Sequence, residues 1–216
     1  MTFDCYGTLV DWNGGMTAAL GGIAGSRAPA LLEAFRSCSV RLEGVTPHLR
    51  YRDVLVEGLL AAARLEEIVV PPSHADVLVE AWASLPVFPD APGALERLRR
   101  NGWRVAVLTN CDDELFASTA PSLGVPLDEV VTAEQVRAYK PRLAHFEEFR
   151  RRSGAGPANW VHAANSWVLD ITAAGRMGVP RVWVDRDQSG HDPALADAVT
   201  SDLSGIEAIV DALLAA

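Results

Sequence analysis

Cysteine is scarce in this chain of 216 residues, with three residues, Cys5, Cys38 and Cys111. An odd, widely spaced set without a Cys-x-x-Cys pair provides neither a disulfide framework nor a zinc site. It points to free thiols in a reducing cytosol, so a cytoplasmic protein is expected. No run of about 18 apolar residues occurs, which argues against a transmembrane helix. No charged n-region leads into an apolar h-region, so no secretory signal is expected. Basic residues are in deficit, 19 against 28 acidic ones, for a net charge of −9. A chain this acidic lacks the electrostatic footprint of a nucleic-acid binder. An anionic substrate would need local positive charge in its site. Internal repeats and low-complexity tracts are absent as well.

What is present is a 49% apolar composition, ample for one core and a second small unit. From residue 87 onward, short β-branched runs alternate with helical stretches. The runs are Arg104–Asn110, Glu129–Thr132, Asn159–Ala163 and Arg181–Asp185. Helices are expected over 91–100, 114–123, 142–152, 168–177 and 205–214. This alternation predicts an α/β fold, a Rossmann-like parallel sheet of about five strands covered on both faces. The stretch 13–86 breaks the rhythm. Its apolar spacing, as in Leu31/Leu32/Phe35 and Val54/Leu55/Leu59, is helical. Helices are expected over 16–23, 29–42, 51–65 and 74–84, with a turn at Pro71-Pro72. The chain thus starts one strand, leaves for a helical insert, and returns near Val87-Phe88 to finish the sheet. The expected organisation is a core of residues 1–12 and 87–216 with a cap of residues 13–86. Met1, Thr2 and Phe3 alone precede Asp4, fewer than a central strand usually has, so the natural chain is expected to begin upstream.

Reactive groups in an open α/β sheet lie just past the carboxyl ends of the strands. Asp4 ends the first strand, Thr109 the second with Asn110 after it, Lys140 lies in the loop after the third, and Asp170 follows the fourth. A buried carboxylate is a costly choice unless its chemistry is used. Gly7 permits a tight turn after Asp4. Amides of that loop, together with the Thr8 hydroxyl, can donate to an oxyanion.

Asp4-Cys-Tyr-Gly-Thr-Leu-Val-Asp11, Leu108-Thr-Asn110, Tyr139-Lys-Pro141 and Asn165-Ser-(x)3-Asp170 follow one another in the order and spacing of the haloacid dehalogenase superfamily. The resemblance spans nearly the whole chain, and the helical insert falls where that superfamily places its cap. It implies that Asp4 is the nucleophile, that Thr109 and Asn110 orient substrate, that Lys140 balances the charge of Asp4, and that Asp170 serves the hydrolytic water or the lysine. Phosphatases of the superfamily carry a second aspartate two residues after the nucleophile, as general acid. Here that place is Tyr6, as in the subgroup that displaces halide from 2-haloacids, since a halide leaves without a proton. Asn165 also replaces the Mg²⁺-binding aspartate at the head of the fourth motif, so no cofactor is expected.

Departures from that subgroup are Thr109 for serine, Phe146 for tyrosine, and Asn165 and Trp167 where serine and asparagine stand. The subgroup also holds its substrate with a cap arginine. Arg41 is the nearest candidate, with Arg50 and Arg52 as alternatives. Tyr6, Asn165 and Trp167 complete the substrate-binding candidates, and Trp12 is a further pocket-wall residue. The expected activity is conversion of a small 2-haloacid to the 2-hydroxy acid through an enzyme ester. A Mg²⁺-dependent phosphatase and a non-catalytic relative are the alternatives. The expected partner is a small anionic molecule, with neither nucleic acid nor membrane, and a homodimer is left open. Cys5, His162 and His145 read as packing residues. His191 has no partner spacing for a metal, and Asp112-Asp113 reads as a cap for the helix that follows.

Overall fold

The computed structural model describes residues 1–215. Six parallel strands form one sheet in the order β3-β2-β1-β4-β5-β6. They are β1 (Thr2–Phe3), β2 (Ala106–Thr109), β3 (Glu129–Thr132), β4 (His162–Ala164), β5 (Arg181–Val184) and β6 (Ala198–Thr200). β1 is short but central. Thr2 pairs with Ala106 and His162, and Phe3 pairs with Val107 and Ala163. The strand order reverses at β1, and such a switch point opens a crevice at the carboxyl ends of the strands. β6 is an edge strand beyond the expected set. Ala198 and Thr200 are half-buried and Val199 is exposed, so the chain carries no continuous apolar run there.

The core helices are α5 (Ala91–Arg100), α6 (Asp113–Thr119), α7 (Ala133–Val136), α8 (Ala144–Ser153), α9 (Thr172–Arg176) and α10 (Ile206–Ala215). α5 keeps a three-four spacing, burying Ala91, Ala94, Leu95 and Leu98, while Arg97, Arg99 and Arg100 crowd its last turn. Cations there complement the helix dipole. On one side of the sheet Phe3, Val107 and Ala163 join the main core. On the other, Ala106 and Leu108 meet Phe146, Phe149 and Trp160. This is the two-residue alternation of strands covered on both faces.

Between β1 and β2 the chain forms α1 (Trp12–Ala24), α2 (Ala28–Glu43), α3 (Tyr51–Leu65) and α4 (Val77–Ala81). α2 and α3 bury Leu31, Leu32 and Phe35 against Val54, Leu55 and Leu59. A Cβ on Gly58 would sit 2.9 Å from the Phe35 ring, so the two helices approach as closely as they do because that position is bare. The expected helix over 74–84 is broken into two 3₁₀ turns flanking α4. The segment leaves and re-enters side by side. Asp11 N–H donates to Pro86 O at 2.7 Å, and Phe88 N–H to Leu9 O at 2.9 Å. No helix among the described residues is long and apolar enough to cross a membrane.

Asp112 corrects an expectation. Its side chain does not cap α6. It is fully buried and accepts from the Tyr51 and Arg52 N–H groups, at 2.9 and 2.8 Å, at the start of α3. A carboxylate at a foreign helix N-terminus joins two parts of the chain some sixty residues apart through the same physics as a local cap. Asp112→Ala removes two hydrogen bonds to a charged acceptor. A loss of roughly 2–3 kcal/mol is expected, which is about 5–10 °C in Tm for a chain of this size. Calorimetry checks it, and an unchanged melt would show that α3 is held by other contacts.

Candidate active site

Asp4 leaves the end of β1 and enters a tight loop. Thr8, Leu9 and Val10 N–H groups all converge on Cys5 O, and Gly7 takes φ 95°. A Cβ there would meet the Asn165 amide at 3.7 Å, and that backbone conformation is strained for other residues. Gly7 N–H bonds Val10 O and Thr8 N–H bonds Cys5 O, so these two amides are committed within the loop. The Thr8 hydroxyl donates to Asp4 Oδ2 at 2.8 Å and accepts from Asn165 N–H at 2.9 Å. Of the oxyanion donors expected in this loop, the Gly7 and Thr8 amides and the Thr8 hydroxyl are turned inward, because the loop needs them to hold its own shape.

Lys140 Nζ lies 2.7 Å from Asp4 Oδ1, 2.6 Å from Asp170 Oδ1 and 2.9 Å from Leu108 O. Its three protons match three acceptors, and all three side chains are buried. Burial alone would lower the lysine pKa, but the two carboxylates outweigh it and raise it. Burial pushes Asp4 above the usual carboxylate value, with Lys140 pulling down and Asp170 pushing further up. Asp170 also suffers burial, yet Lys140 and His162 hold its pKa below the ordinary range. Asn110 fixes the lysine loop by a reciprocal pair. Its Oδ1 accepts from Lys140 N–H at 2.8 Å and its Nδ2 donates to Lys140 O at 3.2 Å.

Asp170 is delivered by a single π-helical turn, Trp167–Ile171, preceding α9, where an unbroken helix over 168–177 was expected. Its Oδ1 also accepts from His162 Nε2 at 3.2 Å. His162 Nδ1 in turn meets Thr2 Oγ1 at 2.9 Å, and Trp160 Nε1 donates to that same hydroxyl at 2.7 Å. Trp160 Nε1, the Thr2 hydroxyl, the His162 ring and Asp170 thus form one buried hydrogen-bonded chain. His162 is thus buried as expected but also orients a site carboxylate. The Phe146 ring, lacking a hydroxyl, packs edge-on against it at 5.0 Å. Asp170 Oδ2 has no partner among the described residues. His145 donates from Nε2 to Thr109 O at 3.1 Å, and burial, then Lys140, bring its pKa down to about 3.

These groups open into a chamber of about 430 Å³ between sheet edge and helical segment. Asp4, Tyr6, Thr109, Asn110, Lys140 and Asp170 line it from the core, and Trp12, Phe35, Arg36, Tyr51, Trp82 and Glu43 from the helices. Trp12 thereby takes the pocket-wall place foreseen for it. The Tyr6 hydroxyl accepts from Trp82 Nε1 at 2.7 Å and shares a hydrogen bond with Thr119 Oγ1 at 2.9 Å.

Arg41 corrects the cap-arginine expectation. It is exposed, and Arg36 is the arginine that lines the chamber. Five residues turn a helix by about 140° beyond a full circle, so 36 and 41 face different ways. Arg36 stands over the Trp12 ring at 5.5 Å and bonds Asn13 and Glu33. Arg50 and Arg52 pair with Asp112, Glu114 and Glu134 outside the chamber. Asn165 and Trp167 also sit elsewhere, in an adjoining cleft. The Asn165 amide binds Asp187 Oδ2 and Arg186 N–H, and Trp167 stacks on His191 at 4.9 Å. Arg186, unanticipated, ties the loop after Asp4 to the start of α5, donating to Thr8 O at 2.9 Å and Asp90 Oδ2 at 2.8 Å.

Residues 1–178 match the family described as haloacid dehalogenase-like hydrolase. The chain is 30% identical over 197 residues to (S)-2-haloacid dehalogenase 4A of Burkholderia cepacia, covering 88% of this chain and 84% of that one. It is 32% identical over 108 residues to a glyceraldehyde 3-phosphate phosphatase of Methanothermobacter thermautotrophicus, covering 49% and 48%. The fold superposes on L-2-haloacid dehalogenase from Xanthobacter autotrophicus with TM-score 0.83 over 97% of each chain, at 18% identity. The extent of the family match and the identity to the full-length relative place this chain in the haloacid dehalogenase-like hydrolase family.

Proposed function

We propose that the protein is a 2-haloacid dehalogenase working through an aspartyl ester at Asp4, with residues 13–86 acting as a cap over the site. The observation that carries this reading is the buried Asp4–Lys140–Asp170 cluster at the floor of a largely apolar chamber with Arg36 in its wall. The substrate carboxylate meets the Arg36 guanidinium, which can bind it through two parallel hydrogen bonds. An Asp4 carboxylate oxygen attacks C2, and the halide departs with the bonding electrons, leaving an ester. Burial strips water from the attacking carboxylate, which raises its nucleophilicity, while Lys140 keeps it ionised. Water then adds to the Asp4 carbonyl and gives its proton to Asp170, whose unpaired Oδ2 has the open lone pairs for it. Collapse of the adduct expels the C2 oxygen, which takes that proton from Asp170, so the 2-hydroxy acid leaves and both carboxylates are restored.

The phosphatase reading fits the site less well. Its leaving oxygen needs a general acid, and the Tyr6 hydroxyl is already engaged by Thr119 and Trp82, with burial pushing the phenol pKa well up. The residues do not suit Mg²⁺ either. The Asn165 amide is spent on Asp187 and Arg186, and an ammonium already sits on both carboxylates. Halide release from 2-chloropropionate in the presence of excess chelator is the expected result. Turnover of phosphate esters that chelator abolishes, with no halide from any 2-haloacid, would overturn the reading.

A further inference from the structure

A small haloacid anchored by Arg36 occupies little of a 430 Å³ chamber, a volume within the range of about 300–1,000 Å³ that holds drug-sized ligands. The unused space has a definite chemistry. Phe35, Arg36, Ser39, Val40 and Glu43 recur at helical spacing and present one face of α2 to it. Arg36 and Glu43 lie about 10 Å apart along the helix axis at about 1.5 Å per residue. Between them stretches an apolar wall that Tyr51 and Trp82 complete, and exposed Val40 and Val168 flank its rim. Glu43 is half-buried in this wall. No hydrogen bond or neighbouring charge is felt by its carboxyl, and burial alone lifts its pKa to about 7. Its carboxyl makes no hydrogen bond among the described residues and faces the chamber, so a ligand donor placed there can complete one. Nothing in the two-step reaction uses it.

We propose that the chamber is a subsite for an extended C2 substituent of the substrate, an apolar stem ended by a hydrogen-bond donor that meets the Glu43 carboxyl. The assignment rests on the haloacid reading for the reacting end of the molecule. The substrate class is then a 2-haloacid bearing a distal hydroxyl, with the carboxylate at Arg36 and the hydroxyl at the far end of the same helix face.

The test compares two acids of equal length, 2-chloro-6-hydroxyhexanoate and 2-chloroheptanoate, by kcat/KM for halide release. The hydroxylated acid is expected to be favoured about tenfold, the size of one well-made hydrogen bond in a dry site. Glu43→Leu should erase or reverse that ratio, whereas Glu43→Gln, which still accepts a hydrogen bond, should keep it. Equal kcat/KM in the unaltered enzyme, or a ratio unmoved in a well-folded Glu43→Leu, overturns the subsite. If Glu43→Leu does not fold, the unaltered enzyme's ratio decides. Calorimetric binding of 6-hydroxyhexanoate against heptanoate separates this claim from the reaction. Tighter binding of the hydroxy acid without halide release from any haloacid sinks the dehalogenase reading and supports the subsite. Halide release with no preference in either measurement does the reverse.

Discussion

Asp4→Asn should lower halide release by at least roughly 10⁴-fold, the scale on which deleting a hydrolase nucleophile acts, without lowering Tm at pH 7. The two halves of that expectation have the same origin. Asp4 is buried and its pKa is raised from 3.8, so ionising it costs more in the folded protein than in the unfolded chain. For an acid with a raised folded-state pKa, the penalty on folding is present above that pKa and fades as pH falls through it. Asparagine has the same shape, can keep the Lys140 bond through its oxygen while its amide donates to the Thr8 hydroxyl, and carries no charge to desolvate. The substitution removes the chemistry and also removes the burial penalty. A melt well below that of the parent protein would show that Asp4 serves the fold. A single turnover in isotopically heavy water gives the complementary result. Hydrolysis at the Asp4 carbonyl leaves one solvent oxygen in the Asp4 carboxylate, and the product hydroxyl carries the oxygen Asp4 began with. Mass spectrometry of the peptide containing Asp4 reads this directly. Label found first in the product would mean that water attacks C2 and that no ester forms.

The four groups at the site were legible because each lies just past an apolar β-branched run, and a parallel sheet fixes where such positions converge. Asp4, Thr109, Lys140 and Asp170 needed no more than the strand count to be placed on one edge. What stayed hidden depends on phase and on distant partners. Arg36 and Arg41 are both polar residues on one amphipathic helix, and nothing in the chain says which side of α2 looks into the crevice. That is decided by how α2 packs against α3 through Phe35 and Gly58. Asp112 reads locally as the start of α6, and its bond to α3 exists because the helical segment folds back over the sheet edge. His162 looks like a core residue since it is one. Its role follows from the π-helical turn that carries Asp170 beneath it, and single-turn bulges of this kind leave no periodic signature. The wall of the chamber likewise comes from two separate parts of the chain. Tyr6 and Trp82 touch at a ring separation of 4.4 Å across 76 residues of sequence.

Lys140→Met is expected to be the most destabilising single change at the site and to abolish turnover. The ammonium gives one proton to each of Asp4, Asp170 and Leu108 O, and no water-exposed group stands in for it. Breaking a buried ion pair by removing one partner costs about 3–5 kcal/mol, because the other charge is left uncompensated. Here two carboxylates are left facing each other. At about 2–4 °C per kcal/mol for a chain of this size, Tm should fall by roughly 10–15 °C at pH 7. The pH dependence identifies the cause. In the parent protein Lys140 is raised above 10.5, so its contribution is fully present at every pH below that value and constant through the neutral range. In the variant both aspartates lose the cation that pulls their pKa values down, so Asp4 moves further above 3.8 and Asp170 moves up from below it. Acids so raised oppose folding above their folded-state pKa and cease to do so as protons bind. The difference in Tm between parent and variant should therefore shrink steadily from pH 8 to pH 5. A gap of constant size across that range would assign the loss to packing of the lysine stem. A variant that still releases halide would show that Asp4 does not depend on Lys140 for its charge, and the ester mechanism would lose its electrostatic basis.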